Sequence, residues 1–72
     1  MEEMTESEVA DLIKDLVINN CIDVEDEDRG GMPEVEEIMT IENSPYSATV
    51  MEKGCYMTLP NGQRFLIYVK EA

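Results

Sequence analysis

Histidine and tryptophan are absent from this 72-residue sequence, which has one phenylalanine and three tyrosines. Without histidine, the Ser–His–Asp and Cys–His arrangements of nucleophilic catalysis are excluded, as is any metal site with histidine ligands. Paired carboxylates are present, but a chain of 8.2 kDa has little room to enclose a substrate and still keep a core. We therefore expect no catalytic residues, no metal site and no cofactor.

Basic residues are scarce: five Lys and Arg stand against 17 Asp and Glu, a net charge of −12. Direct binding to nucleic acid needs Lys and Arg to neutralise phosphates, and an anionic membrane surface repels an acidic protein. No apolar run approaches the ~18 residues of a membrane span, and the chain starts with acids where a signal peptide is basic. We expect a cytoplasmic protein, with Cys21 and Cys55 reduced, that binds neither nucleic acid nor membrane directly.

The acidic residues are concentrated in the first part of the chain. Residues 1–42 contain fifteen acids and two bases, a net charge of −13, whereas residues 43–72 have a net charge of +1. A small soluble domain usually has a net charge of magnitude roughly 2–8, and stronger self-repulsion destabilises the fold. A positively charged partner would relieve this repulsion, so the charge favours a binding role.

The pattern over residues 6–20 predicts an amphipathic helix. Thr5 and Glu8 have the spacing of a capping box, and Asn19-Asn20 is a typical helix end. Apolar residues three and four apart form one stripe, which consists of Val9, Leu12, Ile13, Leu16 and Val17. The opposite face contains acids and one apolar residue, namely Glu8, Asp11, Asp15 and Ile18.

Residues 21–34 are predicted to form an acidic loop, because adjacent acids repel one another and Gly30-Gly31 with Pro33 interrupts regular structure. From residue 35 to residue 70 the hydrophobic period changes to two, which predicts strands at 35–42, 47–52, 55–59 and 64–70. Asn61-Gly62 is expected to form a type I′ turn. The predicted fold is a single α+β domain over residues 1–72, with one N-terminal helix packed on a three- or four-stranded antiparallel β-meander. The expected helix–sheet contacts join Phe65, Ile67 and Val69 to Leu12, Ile13 and Leu16.

The acidic helix face has a spacing similar to that of a nucleic-acid backbone. Helix positions three and four apart lie about 5–6 Å from each other, close to the separation of successive phosphates along a strand. Acids of the following segment would extend this surface. The residues predicted to bind a partner are Glu8, Asp11, Asp15, Ile18, Glu25, Asp26, Asp28, Glu34 and Glu37. The alternative for any single run of charge is an ordinary solvated surface.

A second pattern in the acidic loop is similar to a calcium-binding loop. Six residues occupy positions 1, 3, 5, 6, 9 and 12 of an EF-hand register, namely Asp26, Asp28, Gly30, Gly31, Glu34 and Glu37. Pro33 at position 8 and the strand pattern that follows both depart from that motif. We therefore expect loose cation binding at most, and no specific calcium site.

The stretch over residues 54–69, GCYMTLPNGQRFLIYV, resembles the closing hairpin of many small phage-encoded proteins. With a helix in front and an acidic first half, the chain is similar to small phage anti-defence proteins. These include anti-CRISPR proteins and uracil-glycosylase inhibitors, several of which are DNA mimics. The resemblance covers size, charge and the order of elements. It implies an inhibitor in the host cytoplasm that occupies the basic surface of a nucleic-acid-binding protein or nuclease complex, without catalysis.

Two other classes of function stay open on the sequence. One is a structural or interaction module such as an antitoxin, an immunity protein or a homodimer joined through an exposed sheet edge. The other is a cation-binding protein. The salt dependence of binding distinguishes nucleic-acid mimicry from sheet-edge pairing. Charge-driven binding weakens as the salt concentration rises, whereas strand pairing depends little on it.

Overall fold

The computed structural model describes residues 3–72, in which one α-helix packs against one β-sheet. The helix α1 spans Glu6–Cys21, and the strands are β1 at Glu37–Thr40, β2 at Lys53–Thr58 and β3 at Arg64–Val69. Both strand pairs are antiparallel, and the sheet order is β1-β2-β3. The predicted α+β fold, a helix on an antiparallel meander, is therefore confirmed, with three strands. None of the helices in residues 3–72 is long and apolar enough to cross a membrane.

The helix begins where the capping box predicts. The Thr5 hydroxyl accepts a hydrogen bond from the Glu8 amide at 3.1 Å, and the Glu8 carboxylate accepts one from the Thr5 amide at 2.9 Å. The helix ends at Cys21, one residue beyond the predicted Asn19-Asn20 terminus. The left-handed conformation expected of that asparagine pair occurs instead at Asp23, where φ is 56°. The helix start is thus set by local capping chemistry, whereas its end is displaced by a residue.

The core between helix and sheet is small and centred on Cys55, whose side chain is fully buried. Its thiol donates a hydrogen bond to the carbonyl oxygen of Ala10 at 3.2 Å. The short side chain of Ala10 lets α1 approach the sheet this closely. The other core residues are the buried Ile38 and the partly buried Ile13, Val17, Ile22, Met57, Ile67 and Val69.

The stripe that α1 presents to the sheet is rotated from the predicted one and shares only Ile13 and Val17 with it. Leu12 and Leu16, two of the expected contacts, are 46% and 53% exposed. The stripe that faces the sheet is set by small residues as much as large ones, and consists of Ala10, Ile13, Val17 and Cys21. Because α1 lies over β1 and β2 more than over β3, the expected contact Phe65 is also 43% exposed.

The strand predicted at residues 47–52 does not form, so the four-stranded alternative is wrong. The chain leaves β1 into a short 3₁₀ helix, Ile41–Asn43, and then turns from residue 45 to residue 49. Backbone groups in this connection bond to one another, as when the Val50 amide donates to the Tyr46 carbonyl at 2.9 Å. Local turns thus use the groups that a fourth strand would need for pairing. The same connection ends β1 at Thr40, and the strand predicted at 35–42 is reduced to the four residues Glu37–Thr40.

The hairpin between β2 and β3 turns through three residues and not through the predicted type I′ turn. The Gly62 amide donates to the Leu59 carbonyl at 3.0 Å, and the Leu59 amide donates to the Gln63 carbonyl at 2.8 Å. Gly62 has a positive φ, 91°, but Asn61 does not, whereas a type I′ turn needs two such residues. The arrangement matches a type I turn followed by a left-handed glycine, and Pro60 favours it because proline presets φ at the second turn position.

Candidate functional site

The outer face of α1 carries the predicted acidic surface. Glu8, Asp11 and Asp15 are all exposed, and 55% and 65% of the Asp11 and Asp15 side chains are accessible to solvent. Lys14 lies between the two aspartates, with its Nζ 3.6 Å from Asp11 Oδ1 and 3.8 Å from Asp15 Oδ1. Exposed ion pairs of this kind contribute little stability. The lysine therefore lowers the local charge of the face without covering it.

Ile18 lies at the border of this acidic face and is 39% exposed. It follows Asp15 by three residues and Asp11 by seven, so its side chain is a neighbour of theirs on the helix surface. The loop after the helix does not bury it. Ile18 is thus an apolar side chain that a partner could contact beside the acidic ones. This arrangement is expected of a binding surface that combines ion pairs with burial of apolar area.

A single arginine organises the acidic loop that follows the helix. The Arg29 side chain is only 13% exposed, and its guanidinium donates to the carbonyl oxygens of Val24 at 2.9 Å and Met32 at 3.1 Å. It also binds the Asp26 carboxylate at 2.7 Å. The Val35 amide donates a hydrogen bond to the carbonyl oxygen of Cys21, the last residue of α1, at 2.9 Å, and this bond closes the base of the segment. Residues 22–34 therefore form a compact Ω-loop and not an unstructured acidic linker.

The remaining predicted site residues point to solvent on or near this loop. The exposed set is Glu25, Asp26, Asp28, Glu34 and Glu37. The Asp26 side chain stays 97% exposed despite its bond to Arg29. The EF-hand spacing does not produce a metal site, since the described part of the chain contains no group of three or more acidic or thiol side chains able to hold an ion. Asp26 and Asp28 lie in a 3₁₀ turn whereas Glu37 begins β1, so the register does not converge.

A cavity of about 210 Å³ lies between the start of α1 and the connection from β1 to β2. Its lining includes Ser7, Thr40, Glu42 and Lys53, together with Met51, which is 89% exposed. Sites for drug-sized ligands usually measure about 300–1,000 Å³. This cavity is smaller than that range, so it is a weaker candidate for a functional site than the acidic surface.

Two features were missed by the interpretation of the sequence. Arg29 enters the sequence analysis only through the net charge, although its spacing of three residues from Asp26 is a signal for a local ion pair. The open edge of β3 was not distinguished from the other sheet edge, although six consecutive residues there include no acid. Both signals are present in the sequence, the first as a spacing and the second as an uninterrupted apolar run.

No protein-family model, curated protein or solved structure matches this chain. Function is therefore inferred from the side chains and their geometry.

Proposed function

We propose that this protein is a small acidic inhibitor that binds the basic surface of a host nucleic-acid-binding protein or nuclease complex by electrostatic mimicry of nucleic acid. One observation carries the proposal. The acidic residues on the outer face of α1 and in the Ω-loop are exposed to solvent, while the backbone that bears them is held by a capped helix and by the Arg29 contacts. The acidic side chains therefore lie on a backbone whose conformation is already fixed.

The mechanism is steric and electrostatic occupation, with no chemical step. Acids on the helix face are about 5–6 Å apart at three- and four-residue spacing, which suits a surface that normally binds phosphates. A loop already ordered by Arg29 loses less conformational entropy on binding than a flexible acidic segment would. Desolvated charge pairs with a basic partner would also relieve the self-repulsion of residues 1–42, whose net charge is −13.

The biological setting we propose is the one that the resemblance implies. A phage-encoded anti-defence protein, such as an anti-CRISPR protein, acts in the host cytoplasm on a complex that binds nucleic acid. Size, charge and order of elements support this assignment. The partner would be the basic nucleic-acid channel of that complex, and neither nucleic acid nor membrane would be bound directly.

Displacement by nucleic acid tests the proposal. The immobilised protein is incubated at low salt with a nuclease-treated extract of its native host, and bound proteins are eluted with short duplex DNA or with polyglutamate of equal total charge. We expect a retained protein that duplex DNA releases more readily than polyglutamate does, and that rising NaCl also releases. Retention that resists both DNA and salt would show that mimicry is the wrong mechanism.

A second candidate function, an interaction module such as an antitoxin or immunity protein, is favoured by the open edge of β3. In that class a partner would contact the C-terminal hairpin, where the net charge is +1 over residues 43–72. Binding through strand pairing and apolar contact changes little with salt. The elution experiment therefore separates the two functions by the salt response of the retained protein.

A further inference from the structure

The outer edge of β3 has free backbone hydrogen-bonding groups. The sheet order places β3 at the edge, and in the part of the chain that the structure describes no strand pairs with its outer side. The Leu59 amide bonds to the Gln63 carbonyl, so Gln63 and every second residue after it face β2. The backbone groups of Arg64, Leu66 and Tyr68 therefore point outward.

This edge has little of the usual protection against pairing with another chain. Edge strands are commonly blunted by proline, bulges or charges within the strand, but β3 contains no proline and no acid, and its one charged residue, Arg64, stands at its first position. From residue 65 to residue 69 the side chains of β3 are apolar on both faces of the sheet, and Phe65 and Tyr68 are 43% and 55% exposed. Exposed apolar side chains thus accompany the free backbone groups of β3.

The distribution of charge selects a second copy of this chain as the occupant of the edge. The other open edge, on β1, contains Glu37 and is preceded by Glu34 and Glu36, so two copies would repel each other there. At β3 the local half of the molecule has a net charge of +1, while the half with a charge of −13 includes the helix and the Ω-loop. Contact through β3 therefore joins the weakly charged halves of two copies.

The geometry points to a symmetric homodimer in which β3 pairs antiparallel with β3 of a second copy, giving one six-stranded sheet. Leu66 is the middle one of the three outward-facing residues, so a two-fold axis there pairs it with the partner subunit's Leu66. Arg64 then lies opposite Tyr68 of the partner subunit, where a guanidinium can stack on the phenol ring. Phe65 lies opposite the partner subunit's Ile67. Each outward pair exchanges two backbone hydrogen bonds.

The dimer is independent of the proposed inhibition. Its contacts use the C-terminal hairpin, whereas the acidic surface consists of the outer face of α1 and the Ω-loop. Both acidic surfaces stay available in the dimer. Failure of the dimer to form would therefore leave the mimicry proposal unaffected, and loss of partner binding would leave the dimer unaffected.

Sedimentation of the full chain over a wide range of concentration tests the inference. We expect the wild-type chain to dimerise, and added NaCl should not weaken the dimer, because strand pairing depends little on salt and screening only reduces the repulsion between the acidic halves. Tyr68→Lys should weaken association by about tenfold or more, because like charges directly opposite each other destabilise a sheet pair. The new lysine lies opposite Arg64 of the partner subunit, and Tyr68 is 55% exposed, so the monomer should keep its circular-dichroism spectrum.

A charge exchange tests the register. Adding Arg64→Glu to Tyr68→Lys places opposite charges across the two-fold axis and should restore the dimer. Met51→Lys makes the same charge change at a residue that is 89% exposed and outside β3, and this control should dimerise like the wild type. A wild-type chain that sediments as a monomer at every concentration overturns the inference, as does a dimer that Tyr68→Lys leaves intact or a double variant that stays monomeric.

Hydrogen exchange of the wild-type chain provides a test that needs no variant. The amides of Leu66 and Tyr68 point outward and should exchange rapidly in dilute protein but slowly in concentrated protein. The Ile67 amide already faces β2 and should change far less. Equal exchange of the Leu66 and Tyr68 amides at low and high concentration would contradict strand pairing at this edge.

Discussion

Cys55 joins the helix to the sheet, and its burial has a consequence for pH dependence. Its side chain has no solvent exposure, and its thiol donates to the Ala10 carbonyl at 3.2 Å. Burial raises the pKa of the Cys55 thiol above its ordinary value of 9.0, the negative charge of Asp11 raises it further, and Lys14 opposes both. Because the folded state favours the protonated thiol, this group contributes stability that is fully present below pH 9.0 and is lost as pH rises through the raised pKa.

We therefore expect the free energy of unfolding to fall more steeply above pH 9.0 in the wild type than in Cys55→Ala. The variant loses packing at every pH but has no thiolate to form at this position. Urea unfolding at neutral pH and at a pH well above 9.0 measures the difference. Parallel pH profiles for the two proteins would mean that the thiol does not link folding to pH.

Gly54 permits the close contact between β2 and β3. Its φ is 152°, and a Cβ atom built there would collide with the carbonyl oxygen of Ile67. Gly62 also has a positive φ, but a Cβ atom there would meet nothing within 4 Å. A side chain at either position would strain the backbone, but only a side chain at Gly54 would also clash with β3. Comparing alanine variants at the two positions therefore separates the cost of backbone strain from the cost of the clash.

Gly62→Ala should lower the free energy of unfolding by about 1–2 kcal/mol, which is the cost of a left-handed residue with a side chain. Gly54→Ala should cost about 1–3 kcal/mol more, because the backbone of β3 must also move. Urea denaturation of both variants measures the difference. Equal losses of stability would show that the sheet accommodates a methyl group at Gly54.

The rotation of α1 on the sheet decides which of its side chains stabilise the fold. Ile38 on β1 is only 6% exposed within the core, whereas Leu16 on α1 is 53% exposed. Ile38→Ala should lower the free energy of unfolding by about 2–5 kcal/mol, but Leu16→Ala by no more than about 0.5 kcal/mol. Thermal and urea unfolding check both values. A large loss in Leu16→Ala would restore the helix orientation predicted from the sequence.

The Ω-loop depends on the geometry of one guanidinium. Arg29 bridges Val24, Met32 and Asp26 with three separate nitrogen atoms, and a lysine cannot reproduce such a fork. Arg29→Lys should therefore open the loop locally and speed its cleavage by a glutamate-specific protease, with little change in the circular-dichroism spectrum. Arg64→Lys on exposed β3 is the matched control. Equal cleavage rates in the two variants would mean that the loop is held by its backbone alone.

Local patterns in the sequence were enough to predict most of the secondary structure. The Thr5–Glu8 capping box and the strand pattern of residues 64–69 both depend on neighbouring residues, and the capped helix start and the strand β3 are both confirmed. The helix rotation was not predictable from large apolar residues, because the small residue Ala10 makes the close contact with Cys55 on the sheet and the small residue Cys21 is also buried. The strand predicted at 47–52 does not form because hydrogen bonds within turns compete with strand pairing. The periodicity of apolar residues carries no information about these hydrogen bonds.

The molecule as a whole consists of an acidic half, residues 1–42, and a nearly neutral half, residues 43–72, for which we propose different binding roles. The acidic half displays α1 and the Ω-loop, and the composition of the sequence already indicated this surface. The nearly neutral half contains the hairpin and its open edge, which required the sheet order to identify. Which acids are held in place also required the structure, because the contacts of Arg29 and Lys14 depend on side-chain geometry.

The affinity of the captured partner for two charge-matched variants tests mimicry most directly. Asp11→Lys with Asp15→Lys reverses two acids on the helix face, whereas Glu52→Lys with Glu71→Lys reverses two exposed acids in the hairpin half. Both double variants change the net charge by the same amount, so any difference reports where the charge lies. We expect titration of the purified partner at low salt to show a loss of about 2 kcal/mol or more for the helix pair and little change for the hairpin pair. Equal affinities for the two variants would contradict the assignment of the acidic surface as the binding site.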